Sequence, residues 1–186
     1  MEKFSFQLYN LNEYLLLRFF RIITGFKLAF NPDLEKIYLI PLDTVKEFII
    51  KIIKNQIFDE FGIEVISTNK QIDYSGTVRG NFINTSRLAR KFKKVVSHDK
   101  SAALMSISNY WLSPTNFLIS RIIHTFQPIL GITYLKWGIC FLTTLQEHLP
   151  KNFIQFAAVH EVGHLLGKHG YPLQWLKNRR TSKENK

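Results

Sequence analysis

The chain has 186 residues, with 25 Lys plus Arg against 14 Asp plus Glu, two Met and one Cys, a length that suits one domain burying most of its unfolded surface. The lone Cys140 excludes both a disulfide framework and an all-cysteine metal site and fits a reducing compartment, while 46% hydrophobic and 21% charged residues exclude disordered, collagenous and coiled-coil chains. The net charge of +11 is concentrated, because residues 86–100 and 168–186 each carry six basic side chains and one acidic one, whereas residues 1–85 carry ten of each.

In chain order, Leu15, Phe19, Ile22, Ile23 and Phe26 recur at helical spacing and predict a helix over residues 11–26. It belongs to an N-terminal extension, residues 1–35, that packs on the domain. Contact with a membrane surface through residues 11–30 is the other reading. Glu2, Glu13, Arg18 and Arg21 break the order of a signal peptide and the length of a membrane span, so the chain is expected in the cytoplasm.

After Asn31-Pro32-Asp33, the apolar run 37–42 predicts a strand. Asp43-Thr44 opens a helix with Val45, Phe48, Ile49, Ile52, Ile53 and Ile57 on one face, Gly62 stops it, and 63–66 is the next strand. Strand, helix and strand within about 30 residues make a βαβ unit, whose two strands run parallel. The fold class is therefore α/β (α+β), with a small twisted mixed sheet and about three helices.

Residues 86–94 predict a second helix, carrying Arg87, Arg90, Lys91, Lys93 and Lys94. Such a patch can contact phosphates, but it reads equally as a solvated helix face, and no helix-turn-helix, zinc-finger or RNA-binding signature accompanies it. No specific nucleic-acid partner is expected. Residues 101–120 lack formal charge but are too polar for lipid and predict buried strand and loop. Strands are expected within 101–107 and 132–145, with Gly138 inside the second and a loop containing Pro114 and Pro128 between them. The last helix, residues 152–166, follows Pro150 and stops at Gly167, and a basic flexible tail occupies 177–186.

That last helix contains His160-Glu161-Val162-Gly163-His164, an HExxH pattern. Positions i and i+4 share a helix face, so both imidazoles can reach one Zn²⁺ at 2.0–2.1 Å. Glu161 projects about 100° around the axis and meets a water rather than the metal, where it can act as general base for amide hydrolysis. A catalytic zinc needs a third protein ligand. His169, just past the Gly167 turn, is the candidate, with an ordinary exposed histidine as the alternative, since the only carboxylate after Glu161 is Glu184.

The stretch His160 to His169, HEVGHLLGKH, resembles the metzincin signature, and the segment Arg79-Gly80-Asn81-Phe82-Ile83-Asn84-Thr85-Ser86-Arg87-Leu88 is similar to one in the archaemetzincin branch. Across roughly residues 36–169 the resemblance implies a metallopeptidase domain, here drawn as 36–176, with one catalytic zinc held by His160, His164 and His169, Glu161 as catalytic base, and a peptide or protein substrate. The pattern departs from the family in three respects. The third histidine stands one residue early, Gly170 occupying the usual place; no methionine follows the helix; and no cysteine follows Cys140, so the C-terminal cysteine-rich part is expected to be lacking. An inactive, truncated or degenerate relative acting as a metal-binding or regulatory module is the alternative that these departures raise.

Overall fold

The computed structural model describes residues 31–68, 71–94, 101–114, 117–126, 129–145 and 151–167. The expected N-terminal helix, the basic tail and His169 lie outside these residues. Four α-helices and eight strands are described: β1 (Lys36–Pro41), α1 (Glu47–Phe61), β2 (Glu64–Ser67), β3 (Val78–Arg79), β4 (Phe82–Asn84), α2 (Thr85–Lys93), β5 (Ala102–Ser108), β6 (Trp111–Ser113), α3 (Phe117–Phe126), β7 (Gly131–Tyr134), β8 (Ile139–Thr143) and α4 (Lys151–Leu165). No helix among the described residues is long and apolar enough to cross a membrane.

The βαβ reading of residues 37–66 holds. In α1, Ile49, Ile53 and Ile57 recur every fourth residue and are buried, the stripe expected of a helix lying on a sheet. Gly62 ends the helix at φ +69°, its N–H donating to Phe58 O at 2.8 Å. β1 then pairs with β2 in parallel, Lys36 opposite Glu64.

Five strands form a mixed sheet in the order β2-β1-β5-β8-β7. The first three pairings are parallel, and β7 alone runs antiparallel, against β8. β5 and β8 are buried almost throughout, as expected of strands covered on both faces. On one face Ile37, Leu39, Ala103, Met105, Cys140 and Leu142 pack against α1 and α4. On the other, Ile40, Leu104, Ile139 and Phe141 pack against α2 and a small second sheet, β3-β4-β6. β1, β5 and β8 thus divide their alternate side chains between two apolar layers.

Three local expectations give way to the structure. The region between Pro114 and Pro128 contains helix α3; the prolines flank it rather than break it. Residues 132–145 are not one strand but two, separated by a 3₁₀ turn at Leu135–Trp137. Gly138 ends that turn at φ +61°, a left-handed conformation that a side chain resists, while its carbonyl accepts from Leu104 N at 2.9 Å. Phe48, placed on the buried face by its spacing, is 49% exposed.

Candidate metal centre

α4 lies against β7 and β8 and brings the pentapeptide His160 to His164 beneath the edge of the main sheet. Ala157, Ala158, Val162 and Leu165 are buried in the core and fix which face of the helix looks inward. The helix ends as its glycine predicts. Gly167 adopts φ +72°, its N–H donates to His164 O at 3.1 Å, and Leu165 O accepts from Asn31 N at 2.7 Å.

One turn of α4 brings the two imidazoles together. Nε2 of His160 and Nε2 of His164 lie 2.9 Å apart, with the rings edge to face at 4.4 Å between centroids. Phe156, one turn earlier, stacks on His160 at 5.7 Å. Two nitrogens on one tetrahedral zinc stand about 3.3 Å apart at ordinary bond lengths, so a shift of a few tenths of an ångström in either ring would seat both. Potential ligand atoms of His160, Glu161 and His164 fall within 4.8 Å of one another, a group that could hold a metal. Imidazole nitrogens are donors that zinc accepts, and the Glu161 carboxylate stands within reach of an ion held by the two histidines. His169 is outside the described residues, and its place relative to this group is not part of the structure.

Glu161 is 4% exposed, and a buried carboxylate needs a donor. The donor is Thr133 on β7, whose Oγ1 donates to Glu161 Oε2 and also lies 3.2 Å from the Glu161 carbonyl oxygen. Gly131, two residues earlier on the same strand face, makes room for the carboxylate. A Cβ there would stand 2.5 Å from Glu161 Cγ and 2.7 Å from its Cδ. The opposite face of β7 is tied down separately, since Tyr134 OH and Thr85 Oγ1 are 2.9 Å apart and the Tyr134 ring stacks on Trp137. Cys140 lies opposite Thr133 in the β7–β8 ladder. Its thiol is pushed well above the usual range by complete burial, with the nearby Glu161 carboxylate adding to the shift.

Sequence reasoning singled out the three residues of α4 but neither Gly131 nor Thr133. The available signal was the alternation Gly131-Ile132-Thr133-Tyr134, small or polar on one face and large and apolar on the other. Outside this site, the basic face of α2 is partly committed. Lys91 Nζ donates to Asp73 O at 2.9 Å and Ser75 O at 2.8 Å and pairs with Asp73 Oδ2 at 3.2 Å. The Ser75 side chain and backbone N–H, aided by Lys91, hold the Asp73 carboxyl down to about 2.

No family model and no curated protein matches the sequence. Solved structures do. An archaemetzincin from Archaeoglobus fulgidus, complexed with malonate, superposes with a TM-score of 0.52 at 16% identity, over 70% of this chain and 77% of that one. The archaemetzincin of Methanopyrus kandleri gives 0.54 at 10% identity, over 72% and 73%. A zinc-dependent peptidase from Methanocorpusculum labreanum gives 0.51 at 12% identity, over 69% and 80%. Likeness at these identities concerns the backbone, and the mixed sheet with its antiparallel edge strand and underlying helix is the fold of the archaemetzincins.

Proposed function

We propose that this chain is a zinc-dependent metallopeptidase that hydrolyses peptide bonds in the cytoplasm, with residues 36–176 as its catalytic domain. The observation that carries this reading is the convergence of His160 and His164 Nε2 on one point, with a buried glutamate between them in sequence. In this proposal His160 and His164 hold one zinc ion, and His169, reached through the left-handed turn at Gly167, completes the protein ligands. Zinc bound there supplies a polarising positive charge and brings the pKa of a water close to 7. With the metal in place, Glu161 would take a proton from the attacking water and would pass it to the departing amine nitrogen, so its carboxylate would gain and lose one proton in each cycle.

The substrate is an extended peptide adding to β7. That strand is the last in its sheet among the described residues. Thr143 N donates to Leu130 O at 3.0 Å, so this pair and every second pair after it exchange hydrogen bonds across the ladder. Ile132 and Tyr134 therefore turn their peptide groups toward β8, and Gly131 and Thr133 turn theirs toward the open edge. A substrate strand would hydrogen-bond to those two residues, directly over the face that carries Glu161.

Zinc stoichiometry, measured together with cleavage of a broad peptide library, tests the proposal. The wild-type chain should bind one zinc, and His160→Ala and His169→Ala should each lose it. Glu161→Ala should keep the zinc and lose cleavage, because its carboxylate meets the water and not the metal. Full zinc retention in His169→Ala would remove that residue from the ligand set. A wild-type protein that binds zinc yet cleaves nothing would favour the non-catalytic, metal-binding module.

A further inference from the structure

We infer that Thr133 is the positioning residue for the Glu161 carboxylate, tying the base to the strand on which the substrate is laid. The inference rests on the peptidase reading for its catalytic meaning, though the contact itself is a property of the fold. A buried carboxylate with two free oxygens can adopt several rotamers, and only some place an oxygen where a proton is to be taken. The Thr133 hydroxyl engages Oε2. Oε1 lies against Gly131, in the space that a side chain there would take. With Oε2 engaged by Thr133, Oε1 is the oxygen left to accept the proton.

Thr suits this role for a physical reason. Its branched Cβ restricts χ1, so the hydroxyl is held at one place on the strand. The strand is itself fixed, because Thr133 sits opposite Cys140 in a regular four-residue ladder and the neighbouring Tyr134 is anchored to Thr85 on the other face. The carboxylate of the base, carried by α4, is thus held against the same strand that forms the substrate track. Thr133 would present its peptide group to the substrate and its side chain to the glutamate, so a displacement of β7 would move both together.

Substituting Thr133 by Val keeps the shape and removes the hydroxyl; Ser keeps the hydroxyl and frees the rotamer. Misplacing a catalytic group by about 1 Å can cost roughly 100-fold. In the zinc-loaded protein, Thr133→Val should lower kcat by about 10–100-fold with KM and zinc content unchanged, and Thr133→Ser should recover most of the loss. A second readout uses protein stripped of metal by chelation. Thermal melting of Thr133→Val, Glu161→Ala and the double variant should be non-additive, since each single change removes the same hydrogen bond. Unchanged kcat in Thr133→Val, or additive melting shifts, would overturn the inference. If the wild type cleaves no peptide at all, the peptidase reading falls, and the melting cycle alone decides whether the hydroxyl holds the carboxylate.

Discussion

Substituting Gly131 by Ala tests the close approach of β7 and α4 most directly. The added Cβ would lie 2.5 Å from Glu161 Cγ and 2.7 Å from Cδ, where carbon atoms prefer about 3.5–4.0 Å. Roughly an ångström of overlap with these two carbons, and with Oε1 beside them, must be relieved. The glutamate can rotate away, which breaks its bond to Thr133 and strands a buried carboxylate, or the strand can lift off the helix, which opens the core. Overpacking of this kind costs about 1–3 kcal/mol, and an unsatisfied buried polar group costs a similar amount. For a protein of this size each kcal/mol lowers the melting temperature by about 2–4 °C, so Gly131→Ala should melt roughly 2–12 °C below wild type. The clash involves one side chain, so removing that side chain should abolish it. In a cycle with Glu161→Ala, followed by denaturant unfolding, the alanine at 131 should cost little in the Glu161→Ala background, giving a coupling of about 1–3 kcal/mol. Additivity within about 0.5 kcal/mol, or a Gly131→Ala protein as stable as wild type, would refute the packing argument.

Two further expectations concern other parts of the molecule. Gly62 sits at φ +69° with nothing within 4 Å of a would-be Cβ, so Gly62→Ala should cost about 1–2 kcal/mol from backbone strain alone, read by urea unfolding; no loss would contradict the left-handed cap. Cys140 is fully buried and its thiol is displaced upward by that burial, so almost no thiolate forms at pH 8 in the native state. Ellman's reagent should find no reactive thiol there and one equivalent after denaturation, and rapid reaction of the folded protein would count against the position of β8.

What the sequence made legible follows its periodicity. The alternation and spacing across residues 37–66 place β1, α1 and β2 within a few residues of their observed ends, because Ile49, Ile53 and Ile57 and a terminal glycine state the same structure locally and globally. The pentapeptide on α4 was legible for the same reason: two ligands one turn apart are a local fact. α3 was not legible, since Pro114 and Pro128 mark its flanks and Ser113 and Ser120, hydrogen-bonded to each other at 2.8 Å, bury the polar groups that argued for a loop. The role of Gly131 and Thr133 was hidden more deeply. Which residue faces Glu161 is decided by strand register and by the packing of α4 on β7, and these are set by contacts between segments some 28 residues apart.

The strand order also bears on how the chain reaches this state. β5, with the sequence Ala-Ala-Leu-Met-Ser-Ile-Ser, carries no charge over seven residues, and its second edge is covered only when residues 139–143 arrive as β8. Until then it is an apolar, unguarded strand of the kind that recruits other chains. The hairpin of β7 and β8 closes that edge and substitutes a four-residue one. Shortening an edge in this way lowers the hazard of intermolecular pairing. The strand that would receive a substrate is thus also the one that ends the sheet's growth, and a chain interrupted before residue 139 would leave the longer edge bare during folding.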